Sequence, residues 1–147
     1  MSASASAPAQ TSSHPHTFLA FDFGTRRIGV AVGNTLLRRA QPLSVLRHAG
    51  TPPWAAIGGL VEHWQPQALV VGLPLHPDGT AHEMTQKARR FARQLEGRFR
   101  LPVHVVDERY TSAQAASQGA QADTLDACAA AIILDQFLNP IAPPPTP

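Results

Sequence analysis

Three carboxylates in this 147-residue chain stand where a carboxylate needs a reason. Asp22 lies between Phe21 and Phe23 near the end of an apolar run, where an ionised group is costly to desolvate without a partner. Glu108 follows a second apolar run, Val103-His-Val-Val106, and the ends of such strands are where open α/β sheets keep their sites. Neighbours on a regular strand point to opposite faces, so only one of Asp107 and Glu108 can meet a given ligand. Asp126 falls in the first turn of a helical segment and shares its apolar face with Ala130, Ile133 and Phe137. Each has a purely local alternative. Asp22 can close an Asx turn onto Gly24-Thr25, Glu108 can pair with Arg109 at the surface, and Asp126 can cap the helix within Asp123-Thr-Leu-Asp126. Taken together, the three suit phosphodiester hydrolysis, which needs negative charge neutralised and a water made nucleophilic. Two divalent ions about 4 Å apart, held by carboxylates, do both. Hard oxygen donors select Mg²⁺ or Mn²⁺, and the Cys and His spacing that zinc wants is missing. No local motif suggests a Ser-His-Asp or Cys-His arrangement.

The elements that must position these groups follow from hydrophobic period. Phe18 to Phe23 and Ile28 to Gly33 read as two apolar strands joined by a tight hairpin at Gly24-Thr25, and Pro42 to Arg47 fits a third strand. Trp54, Ile57, Leu60, Val61 and Trp64 then recur at helical spacing, between Pro52-Pro53 and Pro66. The run Ala68-Leu-Val-Val-Gly72 is a buried strand. A second helix spans roughly Ala81 to Phe99, with Ala88, Phe91, Ala92 and Leu95 inward and Lys87, Arg89, Arg90 and Arg93 outward. Val103 to Val106 is the fifth strand; a short helix and a last helix from about Thr124 to Leu138 complete the chain. The order predicts an α/β fold, a mixed five-stranded sheet of three antiparallel strands followed by two parallel ones, flanked by helices.

One domain is expected from this length, with 44% hydrophobic residues to form its core. Residues 1–17 and the proline-rich 139–147 have almost nothing to bury and read as tails around a body at 18–138. Net charge is only +2, but the cations are 11 Arg and a single Lys, Lys87. The planar Arg fork suits phosphate, which favours a polyanionic partner, although a genome rich in Arg codons would leave the same mark. Arg26, Arg27, Arg89, Arg90 and Arg109 are the cations expected to meet a nucleic-acid backbone. The lone Cys128 excludes an internal disulfide. Neither a secretory leader nor a span of membrane length is legible, so a cytoplasmic protein with no membrane partner is expected.

Four blocks occur in order: Phe21-Asp-Phe-Gly-Thr-Arg-Arg-Ile-Gly-Val-Ala-Val-Gly33, Val71-Gly-Leu-Pro-Leu-His-Pro-Asp-Gly-Thr80, Asp107-Glu-Arg-Tyr-Thr-Ser112 and Asp126-Ala-Cys-Ala-Ala-Ala-Ile-Ile-Leu134. Their succession resembles the signatures of the YqgF family across essentially all of 18–138. That resemblance implies a ribonuclease-H-like fold similar to the RuvC-type resolvases. It also implies a metal-dependent nuclease, maturing the 5′ end of pre-16S ribosomal RNA in ribosome biogenesis or, as the alternative, resolving Holliday junctions in branched DNA. By the same resemblance the metal-binding carboxylates fall on Asp22, Glu108 and Asp126. Members of the family usually carry a longer basic loop where this chain has Ser117-Gln-Gly-Ala-Gln-Ala-Asp123, so fewer phosphate contacts are expected there. Two rivals remain at this point. Actin-like ATPases share the opening hairpin but need a second domain to close on the nucleotide, which this length does not supply. A non-catalytic nucleic-acid-binding module would be expected to lack one or more of the three carboxylates.

Overall fold

The computed structural model describes residues 16–24, 26–73, 83–107 and 122–139, and for 83, 107 and 122–126 the backbone alone. Eight elements follow one another: β1 (Thr17–Phe23), β2 (Arg27–Asn34), β3 (Ala40–Arg47), α1 (Trp54–Trp64), β4 (Ala68–Leu73), α2 (Glu83–Phe99), β5 (Val103–Asp107) and α3 (Ala122–Leu138). The short helix expected between β5 and α3 falls outside the described residues, as do nearly all of both expected tails. Thr17, assigned to the N-terminal tail above, belongs to the sheet, and His16 is tied to it just outside. Thr17 opens β1, and the His16 backbone N–H donates to Thr35 Oγ1 at 2.9 Å. At the other end the Asn139 amide donates to the Arg38 carbonyl at 2.6 Å.

The five strands form one sheet in the order β3-β2-β1-β4-β5. β1 pairs antiparallel with β2, and β2 with β3, while β1-β4 and β4-β5 are parallel. The mixed sheet is therefore the one the element order predicts. Edge strand β3 carries Pro42 where the β2-β3 register slips between Val30 and Ala31, a place that tolerates a residue without a backbone donor. α1 stops at Trp64 because Gln65 turns left-handed, with φ of 50°, and its N–H returns to the Val61 carbonyl ahead of Pro66.

Alternation along the strands divides the core into two layers. Leu19 and Phe21 of β1, Ile28 and Val30 of β2, and Leu69 and Val71 of β4 face α1 and α2, where Ile57, Phe91 and Leu95 meet them. The other face turns Phe18, Ala20, Ala68 and Val70 toward Ile133 and Leu134 of α3. Ala88, Phe91, Ala92 and Leu95 of α2 are all buried, as their spacing predicts, and Lys87, Arg89, Arg90 and Arg93 are exposed. α3 lies close on β2: a Cβ on Gly33 would come within 3.0 Å of Leu138 and 3.1 Å of Leu134.

Candidate active site

Asp22 is half-buried on β1 and, two residues on from Ala20, lies on the α3 face of the sheet. Phe21 pairs with Val71 of β4, and Val71 with Val105 of β5, so Asp22 stands level with Gly72 and Val106. Glu108 lies outside the described residues, directly after the end of β5. Within β5, Val106 packs on the α3 side and Val103 on the α1 and α2 side.

α3 runs antiparallel to β1. Its C-terminal end sits at the start of that strand, with the Phe137 and Phe18 rings 5.2 Å apart, and the Ala40 N–H donates to Asp135 Oδ1 at 2.7 Å. Farther along, Ala130 clusters with Ala31, the β2 partner of Ala20. From Ala130 back to Asp126 is one helical turn, about 6 Å of rise, and from Ala20 on to Asp22 is two strand residues, about 7 Å. The backbone of Asp126 thus approaches the height of Asp22 on the same face; its side chain lies outside the described set.

The hairpin after Asp22 is held from three directions. The Gly24 N–H donates to the Arg27 carbonyl at 2.9 Å, and the His48 N–H donates to the Arg26 carbonyl at 2.9 Å. His48 also contributes its ring. Gly50 N–H donates to Nδ1 at 3.2 Å, which leaves the proton on Nε2 to donate to the Gly24 carbonyl at 2.8 Å. No local pattern marks His48 as a brace, because its partner is 24 residues away. Gly24 has no room for a side chain, since a Cβ there would stand 2.6 Å from the Arg27 carbonyl oxygen. Gly24→Ala is therefore expected to cost about 1–3 kcal/mol through forced backbone shifts. Thermal unfolding checks this, and a melting temperature equal to the parent's would show that the hairpin yields freely.

Among the described residues no three His, Cys, Asp or Glu side chains gather as a metal site. What the described part provides is one half-buried carboxylate at a strand end, with the helix bearing Asp126 and the strand leading to Glu108 directed to the same end of the sheet. Carboxylate oxygens are the donors that Mg²⁺ and Mn²⁺ accept, so the residues fit a hard divalent ion. Among the described residues, the expected phosphate-binding arginines line more than one surface. Arg26 is exposed on the hairpin and Arg27 opens β2. Arg90 faces a cleft beside Phe23 and His48, Arg89 lies on the other flank of α2 against Val103 and Val105, and Arg109 is outside the described residues.

An antiparallel three-stranded meander continued by two parallel strands, with helices on both faces and a carboxylate at the end of its central strand, defines a ribonuclease-H-like α/β protein. The fold is that of Thermus thermophilus RuvC: a structure of that protein in complex with Holliday junction substrate aligns with a TM-score of 0.54 at 18% identity, over 84% of this chain and 93% of the other. The chain belongs to the RuvX family, described as Holliday junction resolvase, which matches residues 16–140. Similar proteins include one from Albidiferax ferrireducens, 54% identical over 134 residues, 91% of this chain and 85% of the relative. Another, from Paraburkholderia phytofirmans, is 56% identical over 128 residues, 84% of this chain and 88% of the relative. Both carry the name "Putative pre-16S rRNA nuclease".

Proposed function

We propose that this chain is a metal-dependent endonuclease that hydrolyses phosphodiester bonds in the 5′ region of pre-16S ribosomal RNA. Asp22, Glu108 and Asp126 are its metal-binding carboxylates. The observation that supports the reading is the antiparallel seat of α3, whose Ala130 packs on Ala31, the β2 partner of Ala20, so that the helix runs back toward the end of β1 that carries Asp22. The naming of relatives at 54% and 56% identity supports the choice of substrate. Such a substrate implies a cytoplasmic enzyme, and no helix among the described residues is long and apolar enough to cross a membrane.

Asp22, Glu108 and Asp126 would hold Mg²⁺ or Mn²⁺, which, bound as a pair, would supply charge neutralisation at the phosphoryl oxygens and a water of lowered pKa. The chain's own groups do the rest. Asp22 offers its oxygens from a strand end paired with Gly29 of β2, one residue beyond the Phe21 pairing with Val71 of β4, which limits its freedom and holds donor spacing. Arg26 and Arg27, on the braced hairpin next to it, bind the substrate backbone and orient it. Arg89, Arg90 and Arg109 extend that contact.

A second reading, cleavage of branched DNA, has the description of the family in its favour. Incubating the protein with a labelled pre-16S leader and with a four-way DNA junction, side by side, in Mg²⁺, Mn²⁺ or chelator, separates the two. The proposal expects cleavage of the RNA, abolished by chelator. Cleavage of the junction alone would overturn the choice of substrate, and cleavage of neither would overturn the nuclease.

A further inference from the structure

On the face of the sheet opposite Asp22, the loop between β3 and α1 and one side of α2 enclose a cleft of about 460 Å³, within the range of small-ligand sites. One wall is a continuous stack of rings. His48 lies on Phe23 at 5.7 Å, Phe23 on Phe91 at 4.8 Å and Phe91 on Trp54 at 5.8 Å, with interplanar angles of 30°, 29° and 21°. The Arg98 guanidinium closes the series, 4.2 Å above the Trp54 ring. The other wall is a helical stripe of α2, Lys87, Arg90, Gln94 and Arg98, whose spacing repeats on one side of a helix. Thr51 adds a hydroxyl across from it.

Three cations therefore share this cleft, and no carboxylate stands among its described lining residues. Among the described lining residues these like charges repel one another, and Arg98 is further constrained by its seat on Trp54. An anion relieves that repulsion. The Arg fork selects planar, multi-oxygen anions such as phosphate, and the apolar ring edges beside it suit a base or ribose better than bulk water. From these features we infer that the cleft is a binding site for a nucleotide phosphate, separate from the carboxylate site. Phe23 and Asp22 are chain neighbours on opposite faces of β1, so a strand engaged at Asp22 reaches the cleft by passing the hairpin tip at Arg26. The nucleotide comes either from such a strand, a source that rests on the nuclease reading, or free from solution.

The test measures binding of a labelled single-stranded oligouridylate in chelator over a range of salt, and of AMP through the change in tryptophan emission, carried out in a Trp64→Phe background so that Trp54 alone reports. The parent is compared with Lys87→Gln/Arg90→Gln and with Arg93→Gln/Arg100→Gln, which removes equal charge outside the cleft. The cleft variant is expected to bind the oligonucleotide about tenfold more weakly at low salt, with a salt slope lower by about 1.4 for two lost contacts to a single strand. The control pair is expected to change little, and Lys87→Arg/Arg90→Lys to retain binding. Loss of AMP binding with unchanged oligonucleotide binding would assign the site to free nucleotide. If the cleft variant and the control pair bind both probes as the parent does, or weaken equally, the site does not exist. Because the assay contains no metal and reads no cleavage, an inactive parent that still shows the cleft-specific loss would overturn the nuclease and leave the cleft standing.

Discussion

Replacing Phe91 by alanine is expected to cost about 3–5 kcal/mol of folding stability, which would leave little margin for a domain of this kind. Phe91 is 1% exposed and touches three other rings: Phe21 edge-on at 5.8 Å, with Phe23 and Trp54 stacked on it. Truncation removes the transfer free energy of the ring, leaves a cavity between sheet and helices, and breaks aromatic contacts worth about 0.5–1.5 kcal/mol each. The melting temperature should fall by at least about 10 °C. Phe91→Leu keeps most of the burial and should lose less. Arg89→Ala, two positions away on the exposed side of the same helix, should stay within about 0.5 kcal/mol of the parent. A Phe91→Ala protein that melts near the parent would mean that α2 does not carry the core of this face.

Much of this arrangement is legible in the residues themselves. Phe91, with Ala88, Ala92 and Leu95, is marked as core by helical spacing, and β1, β2 and β4 by short apolar runs bounded by turn residues. Asp22 is conspicuous because a carboxylate interrupts such a run. Other features depend on partners far along the chain. β3 begins at Ala40, two residues earlier than its apolar pattern suggests, because a slipped edge register still pairs Ala40 with Gly33. The bracing of Gly24 by His48 joins two strands across the sheet and has no local signature. Arg89 and Arg90 read as one basic pair, yet neighbouring helical positions diverge by about 100°, so they line different surfaces. The stripe of Lys87, Arg90 and Arg98 is present in the spacing, but its meaning depends on the rings that the fold brings opposite.

The effect expected to be largest in rate belongs to Asp22→Asn, which preserves the shape of the side chain and one acceptor oxygen while removing the charge. Outer-shell support of a metal site is commonly worth 10–100-fold, roughly, in affinity or activity, so loss of a direct ligand should lower Mg²⁺-dependent cleavage by at least about 100-fold. If Asp22, Glu108 and Asp126 gather as proposed, neutralising one of them also relieves like-charge repulsion when no cation is present, so the metal-free melting temperature should hold or rise. A ligand that binds only the folded state raises stability in proportion to the logarithm of its saturation. Mg²⁺ should therefore stabilise the parent and leave Asp22→Asn nearly unchanged. An Asx turn onto Gly24 makes the opposite forecast, since Asn closes that turn as well as Asp does. The deciding measurement is the rate at which parent and Asp22→Asn cleave the same labelled pre-16S leader in Mg²⁺, each with its melting curve. The account predicts a folded Asp22→Asn protein with cleavage lost; a folded Asp22→Asn protein that cleaves at the parental rate would contradict it.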